Sequence, residues 1–336
     1  NMKTGRLDRK RGNAVIRAAN DIILGKHADQ FLLDVYQSGA GVSQNMNMNE
    51  VIANRATEIL GGKKGQYKIH PNDHVNMSQS TNDTIHTSIH ITCTYALDDL
   101  LKSLEGLKNI LNKKSKQFKD IVKSGRTHLQ DAVPITLGQE FSGYAIAISK
   151  DMQTLRKAYY SLLELNIGGT AVGTGINTHP KYAEFVVKEI NKITKKEFRS
   201  AENLFEATAS LNEELELSSA LKVLAIDLLK ISDDFRLGSY FGEIILPTKQ
   251  PGSSIMPGKI NPVMCEMLNM ACFQVIGNDT AVTFACKGEL QLNVFMPVVA
   301  YNLLNSIEIL NNAINGFTEK CVKGINLNKS RINENL

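Results

Sequence analysis

The residues with the clearest capacity for chemistry lie in a glycine- and proline-rich stretch, Gly252–Pro262. Its serines supply hydroxyl groups, Lys259 an ammonium group and Asn261 an amide. We predict that a helix begins at Pro262 with Asn261 as its N-cap, so that free N–H groups beside Lys259 form an anion site. The terminal glycines allow the segment to close over a ligand. The stretch therefore predicts a mobile lid that brings a serine, as nucleophile or base, to a carboxylate or phosphate. An ordinary turn before a helix is the alternative.

A second polar stretch, His70–Asp83, places many hydrogen-bonding groups before another predicted helix. Ser80, Thr81 and Asn82 are consecutive at its end. One of them is expected to cap the helix. Three neutral donors at a helix start are also suited to holding a carboxylate, and both interpretations remain open.

Two histidine pairs, His70 with His74 and His86 with His90, have the i, i+4 spacing of metal ligands on a helix face. No cysteine or carboxylate near them in the sequence completes a ligand set. We therefore predict no metal site.

A third stretch, Gly125–Pro134, places His128 beside Thr127 on a predicted loop that leaves a helix. A lone histidine is usually structural, and its use as an acid or base depends on a carboxylate that orients it. Glu266, one turn into the helix after the serine-containing stretch, is the candidate partner.

The glycine-rich stretch Gly168–Pro180 superficially resembles a phosphate-binding loop. No Lys-Ser/Thr pair follows it and no strand is predicted before it, so a nucleotide site is not expected. Close backbone packing around a shared site is the favoured interpretation.

The elements that must position these residues are predicted to be long helices. The apolar residues of three segments recur at helical spacing. They are Leu97, Leu100, Leu101, Leu104, Leu107 and Leu111; Leu221, Leu224, Ala225, Leu228 and Leu229; and Leu268, Ala271, Cys272, Val275 and Ile276. A fourth series has the spacing of a coiled-coil seam. It comprises Leu303, Ile307, Leu310, Ile314, Phe317 and Cys321. No useful alternating pattern of strands is visible, so we predict an all-α bundle of long helices.

Composition sets the broad class. The chain has 336 residues with a net charge of +4, too small an excess for a nucleic-acid surface. Its five cysteines form no Cys-x-x-Cys pair, which is typical of a reducing compartment. No apolar run is long enough to span a membrane and no secretory segment opens the chain, so we expect a cytoplasmic protein. A removed mitochondrial leader would leave no trace.

A domain boundary is predicted near residue 83, between an N-terminal domain (1–83) and a long-helix domain (84–336).

Together, Gly252–Pro262, Gly125–Pro134, His70–Asp83 and Gly168–Pro180 resemble the aspartase/fumarase superfamily, and within it class II fumarases. The resemblance runs from about residue 12 to residue 333. It implies a twenty-helix homotetramer core whose active sites are each built by three subunits. It also implies reversible anti addition of water to fumarate, a small dicarboxylate, giving (S)-malate without a metal or organic cofactor, and no nucleic-acid or membrane partner.

The resemblance also implies a role for each site residue. Ser253 would remove the C3 proton of malate, Lys259 and Asn261 would stabilise the resulting aci-carboxylate, and His128, oriented by Glu266, would manage the water. The residues expected to hold the substrate carboxylates are Ser80, Thr81, Asn82, Thr127 and Ser254. A second, non-catalytic anion site would use His70, Asn72 and Asp73.

Three departures from the family pattern are visible. Ala40-Gly41-Val42 replaces a Ser/Ala-Gly-Thr segment that contacts substrate, and Val42 cannot donate a hydrogen bond, although Ser43 could replace that contact. Segment 237–243 is shorter than its counterpart. The chain is also expected to begin late and to lack the family's small C-terminal domain.

Two alternatives to a fumarase remain. Aspartate ammonia-lyase has a very similar serine-containing stretch; His128, Thr178–Pro180 and Gly258 favour the fumarase pattern. A non-catalytic helical scaffold is the other alternative. It does not explain why Ser253 and its proposed partners are all present.

Overall fold

The structure is a computed structural model that describes residues 1–36 and 39–336. The described residues are mainly helical, as predicted. The α-helices are α1 (Arg9–Ile23), α2 (Val42–Ile59), α3 (Thr81–Gln117), α4 (Leu137–Ser161), α5 (Tyr182–Thr194), α6 (Leu204–Ala209), α7 (Asn212–Tyr240), α8 (Val263–Ala285), α9 (Met296–Lys320) and α10 (Lys329–Glu334). The strands are β1 (Val122–Thr127), β2 (Gln130–Thr136), β3 (Glu164–Leu165), β4 (Arg199–Ser200), β5 (Ile244–Ile245) and β6 (Asn326–Leu327).

The described chain divides into two compact units. The first unit comprises residues 1–94, 160–215 and 281–302, and the second comprises 95–159, 216–280 and 303–336. The domain boundary predicted near residue 83 stays a prediction.

The second unit has a core formed by leucine-rich helix faces and stacked aromatic rings. The predicted apolar faces of α3 and α9 are buried, including Leu97, Leu104, Leu310 and Phe317. Phe235 stacks on Phe317 with ring centroids 5.8 Å apart. These contacts confirm the helical periodicity read from the sequence, because each series lies on one buried face.

The first unit joins α1 and α2 through small residues. Ala14 and Ala18 of α1 cluster with Ala53 and Ala56 of α2, and all four are buried. Alanine at these positions allows two helix backbones to approach closely. This contact supports the chain segment that leads to the start of α3.

The prediction of a loop without strands at Gly125–Pro134 is wrong. Strands β1 and β2 pair antiparallel from Val122↔Thr136 to Thr127↔Gln130, with a bulge between Ser124 and Arg126. Strand β1 buries polar residues and glycine and is interrupted by a bulge, and β2 is mostly exposed, so neither strand shows an alternating apolar pattern in the sequence. Its two-residue turn places His128 at the tip.

Two further small sheets complete the described structure. Strands β3 and β4 pair in parallel, and β5 and β6 pair antiparallel. Within the described ranges, no helix is both long and apolar enough to cross a membrane.

Candidate active site

The serine-containing stretch folds into an exposed loop that closes on itself. The side-chain amide of Asn261 donates to the backbone carbonyl of Gly252 at 3.1 Å. A Cβ atom at Gly252 would lie 1.5 Å from the carbonyl oxygen of Lys259, so this crossing admits only glycine. The loop base is therefore fixed by a backbone contact that no other residue type permits.

The Ser253 hydroxyl oxygen lies inside the turn of this loop. It accepts hydrogen bonds from the backbone N–H groups of Ile255 at 3.3 Å and Met256 at 3.1 Å. Hydrogen bonds to the charged form of a group favour that form, so two N–H donors help to stabilise a serine alkoxide. Ser253 and Lys259 line the same cavity of about 470 Å³, which adds a cation to the same surroundings.

The helix after the loop begins one residue later than predicted. Helix α8 starts at Val263, and the carbonyl of Pro262 accepts from the N–H groups of Cys265 and Glu266. The prediction that Asn261 caps the helix and Pro262 opens it is wrong, because the Asn261 side chain is used to close the loop. The sequence could not show this, since an asparagine side chain suits both roles: its oxygen can cap a helix and its N–H group can close the loop.

Glu266 lies in the first turn of α8 and lines a separate cavity of about 600 Å³. Arg236 and Tyr240 of α7 line the same cavity, together with Ile260 from the serine loop. Glu266 therefore lines a cavity distinct from the one that Ser253 and Lys259 line.

His128 occupies the tip of the β1–β2 hairpin and is exposed, as is Thr127. Both turn residues, His128 and Leu129, have a left-handed backbone with φ of 54° and 59°. Paired positive φ values define the turn type that matches the twist of a two-residue hairpin. The imidazole is thus held outward on a short rigid arm.

A partly buried ion cluster centred on Glu243 anchors that arm. Arg126 of β1 lies 2.6 Å from Glu243 and 3.0 Å from Asp131, while Lys123 lies 3.2 Å from Glu243 and from Glu140. Burial alone would raise the pKa of Glu243, but the hydrogen bond from Arg126 and the charge of Lys123 hold this pKa below its ordinary value. The cluster fixes the position of the hairpin with charge-assisted contacts.

Glu243 is a positioning residue that the sequence reasoning missed. It is the last residue of the shortened segment 237–243, in which α7 ends at Tyr240. The sequence offers a single acidic residue after a left-handed glycine, Gly242. That signal is too weak to reveal two cationic partners more than 110 residues away.

The start of α3 combines a helix cap with a clamp on the glycine-rich segment. Ser80 caps the helix by accepting from the N–H of Asn82 at 3.3 Å, and Asp83 accepts from the N–H of Ser80 at 2.9 Å. The other Asp83 oxygen accepts from Gly168 and Thr170, both at 3.0 Å. Burial raises the pKa of Asp83, while these three N–H groups oppose the rise.

Asp83 was not selected from the sequence, although a serine followed three residues later by an acid is a capping-box pattern. The clamp also confirms close backbone packing in Gly168–Pro180. A Cβ atom at Gly173 would lie 2.7 Å from the backbone of Phe205. The other two candidates at this helix start are engaged as well: Asn82 donates to the carbonyl of Ala171, and Thr81 accepts from Asn45.

The predicted second anion site lies on a π-helical turn, Pro71–Val75. The His70 ring accepts from the N–H of Asp73 at 3.2 Å and so caps this turn. Asn72 and Asp73 line a cavity of about 570 Å³ together with Arg6. Arg6 contributes a positive charge and Asp73 a negative charge to its lining.

One of the two histidine pairs has a carboxylate beside it in the structure. His86 and His90 of α3 meet Glu214 of α7, and their ligand atoms lie within 4.8 Å of one another. The expectation that no carboxylate completes this pair is wrong, because the carboxylate is distant in sequence and close in space. His74, in contrast, accepts from the backbone N–H of His70.

The predicted site residues fall into both units. Ser253, Ser254, Lys259, Asn261, Glu266, Thr127 and His128 belong to the second unit, and Ser80, Thr81, Asn82, His70, Asn72 and Asp73 to the first. Within the second unit, the loop brings Ser253 and Lys259 together, and Glu266 lines a different cavity. Their catalytic roles stay predictions. Val42, the departure noted above, is exposed at the start of α2.

Comparisons with known proteins agree on one family. The model of a family described as lyase matches residues 1–277. Aspartate ammonia-lyase of Bacillus subtilis is 48% identical over 99% of this chain and 72% of its own. A class II fumarate hydratase of Bradyrhizobium diazoefficiens is 50% identical over 99% of this chain and 72% of its own. The crystal structure of a class II fumarase from Schistosoma mansoni superposes with a TM-score of 0.97 at 36% identity, covering 100% of this chain and 75% of that one.

Proposed function

This chain belongs to the lyase family of the aspartase/fumarase superfamily, and we propose that it is a fumarate hydratase. The proposed reaction is the reversible anti addition of water to fumarate, giving (S)-malate through an aci-carboxylate intermediate. Membership of the family makes the chain a lyase. The choice of water as the added group is the proposal.

The observation that carries the proposal is the pair of N–H groups on the Ser253 oxygen. A proton beside a carboxylate is weakly acidic, so its removal needs a strong base and positive charge on the developing dianion. The loop supplies both. Two N–H donors stabilise the serine alkoxide, and Lys259 lines the same cavity. Closure of the loop would exclude water and strengthen these interactions.

The remaining roles follow the family pattern. His128, held at the hairpin tip, would handle the water that leaves or attacks, with Glu266 as the carboxylate that orients it. Asn261 and Ser254 of the loop, Thr127 of the hairpin, and the start of α3 would hold the two carboxylates. We propose that these pieces come together between subunits of a homotetramer, because in one chain His128 and the loop are exposed.

The second candidate is aspartate ammonia-lyase, in which ammonia replaces water. The observation in its favour is the similarity to the Bacillus subtilis enzyme, 48% identity over 99% of this chain, which nearly equals the similarity to fumarate hydratases. His128, Thr178–Pro180 and Gly258 are the positions that favour fumarase. Both reactions share the proton transfer assigned to Ser253 and differ in the leaving group.

The deciding experiment follows the ultraviolet absorbance of fumarate. Purified protein, shown by light scattering to be oligomeric, is given malate alone, aspartate alone, and fumarate with and without ammonia. We expect fumarate to form from malate, and fumarate to be consumed without ammonia. Formation from aspartate alone would assign the second candidate. No change with any substrate would refute both and favour a scaffold.

The Ser253→Ala variant tests the proposed base. We expect kcat for malate to fall at least 1000-fold, on the order of 4 kcal/mol, with KM changing less than about threefold, because the lost interaction acts in the transition state. Ser330→Ala, which removes an exposed hydroxyl from α10, is the matched control. Near-normal turnover in Ser253→Ala would contradict the assignment.

A further inference from the structure

A cluster of three ionisable side chains lies buried between α3 and α7, apart from the residues assigned to the reaction. His86 and His90 occupy one face of α3, and Glu214 faces them from the first turn of α7. The Glu214 carboxylate oxygen Oε1 lies 2.9 Å from His86 Nε2 and 3.2 Å from His90 Nε2. The three side chains are at most 3% exposed.

The polar atoms of this cluster lack hydrogen bonds despite these short distances. Among the residues that the structure describes, neither Nε2 atom nor either oxygen of Glu214 has a hydrogen-bond partner of suitable geometry. Buried polar atoms without partners are rare and costly, because their desolvation is not repaid. Three side chains whose ligand atoms lie within 4.8 Å of one another without hydrogen bonds indicate that a cation belongs between them.

The tautomer of His90 supports this reading. Its Nδ1 atom lies 2.7 Å from the backbone carbonyl oxygen of Glu164, which only accepts hydrogen bonds. Nδ1 therefore carries a hydrogen, and in the neutral ring Nε2 presents its lone pair to the carboxylate. A histidine whose other nitrogen donates to a carbonyl is the usual arrangement around a bound metal.

We propose that His86, His90 and Glu214 bind a divalent transition metal ion of the zinc class. The ligands would be the two Nε2 atoms and the Glu214 carboxylate, whose two oxygens share one narrow edge of a distorted four-coordinate site. Bonds of 2.0–2.1 Å in a tetrahedral site place ligand atoms of different residues about 3.3 Å apart. Oε1 lies 2.9 Å and 3.2 Å from the two Nε2 atoms, and one ligand atom from each side chain lies within 4.8 Å of the others. Two imidazoles select zinc, cobalt, nickel or copper over magnesium or calcium.

The site would be structural. The three side chains are buried, so no substrate reaches the ion, and loading would accompany folding. His86 lies one turn after Asn82 on α3, the helix whose start carries Ser80 and the Asp83 clamp. A metal there would tie this helix start to α7. The proposal does not depend on which lyase reaction the chain performs.

Metal content after controlled refolding tests the proposal. The full chain is unfolded with a chelator, refolded with or without zinc, passed over a chelating resin and analysed for zinc. We expect about one zinc per chain in the wild type and less than about a tenth of that in Glu214→Gln and His90→Gln. His74→Asn, which alters the other i, i+4 histidine pair, should keep the full complement.

A cobalt spectrum and a double variant distinguish loss of the metal site from misfolding of the variant proteins. Cobalt in place of zinc should give the intense visible bands of a four-coordinate ion, absent from Glu214→Gln. If the single variants fail to fold, the double variant His86→Leu/Glu214→Leu replaces the polar cluster by apolar groups and should fold without metal. Its zinc content is expected to be the same as that of Glu214→Gln.

Two results would overturn the proposal. The first is a wild-type protein that refolds to full helicity in the presence of zinc but retains no zinc. That result would mean that a proton shared by the three side chains, and not a metal ion, supplies the positive charge. The second is full zinc content in Glu214→Gln or in the double variant, which would place the metal elsewhere.

Discussion

Asp151, in α4, makes the stability of the protein depend on pH in a way that one substitution should abolish. The residue is 3% exposed, and its Oδ2 atom has no hydrogen-bond partner. Burial, and then the negative charge of Asp227, raise the pKa of Asp151 from 3.8 to about 7. The folded protein therefore holds a proton there that the unfolded chain releases near pH 4.

The sign and size of the effect follow from this difference. Between about pH 4 and pH 7 the folded state binds more protons than the unfolded state, so the free energy of unfolding falls as the pH rises. A pKa increase from 3.8 to about 7 corresponds to about 4 kcal/mol at most. Relaxation around the charged carboxylate reduces the loss, and we expect about 2–4 kcal/mol above pH 7.

Asp151→Asn keeps the shape of the protonated side chain and removes its titration. We expect the variant to exceed the wild type by about 1.5 kcal/mol at pH 5, where the carboxyl group is already ionised in the unfolded chain, and by about 2–4 kcal/mol at pH 8. Denaturant titrations measure both values, and they are made at one fixed protein concentration so that the proposed homotetramer contributes equally to each. Asp120→Asn is the control, because Asp120 is 83% exposed. Parallel pH profiles for Asp151→Asn and the wild type would refute the reasoning.

Two further substitutions test the site and its support. Gly252→Ala should reduce turnover at least tenfold with little change in the melting temperature, because the added Cβ would meet the Lys259 carbonyl and force the exposed loop open. Steady-state kinetics measure the turnover, and thermal unfolding measures the melting temperature. Glu243→Gln should lower the free energy of unfolding by about 3 kcal/mol, because Lys123 and Arg126 lose their shared buried partner. Denaturant titration measures that loss.

Each of these has a matched control. Gly277→Ala adds a methyl group in α8 with nothing within 4 Å, so turnover should be unchanged. Glu319→Gln removes an exposed carboxylate that is paired with Lys323 at 3.0 Å. Unchanged turnover in Gly252→Ala, or a Glu243→Gln variant as stable as Glu319→Gln, would contradict the roles given to the loop crossing and the ion cluster.

The helical architecture could be read from the sequence because each long helix carries its own signal. The spacing of Leu97, Leu104 and Leu310 and their neighbours marks buried faces without reference to any other segment. The candidate loop was found for the same reason, since the serines, Lys259 and the flanking glycines are adjacent in the chain.

The features that were missed depend on pairing between distant segments. Glu214 completes a histidine pair more than 120 residues away, and Glu243 meets Arg126 across 117 residues. Neither contact leaves a local pattern. Before α8 the sequence allows two uses of the Asn261 side chain, and in the structure its N–H group closes the loop by donating to the carbonyl of Gly252.

The left-handed turn at the hairpin tip restricts which replacements of His128 are informative. With φ at 54°, this position favours glycine, asparagine and aspartate, and strains residues branched at Cβ. His128→Asn removes the imidazole while keeping a residue that accepts the same backbone, so its kinetics report on the ring alone. His128→Val would also disturb the arm, and a loss of activity in that variant would say nothing about proton transfer.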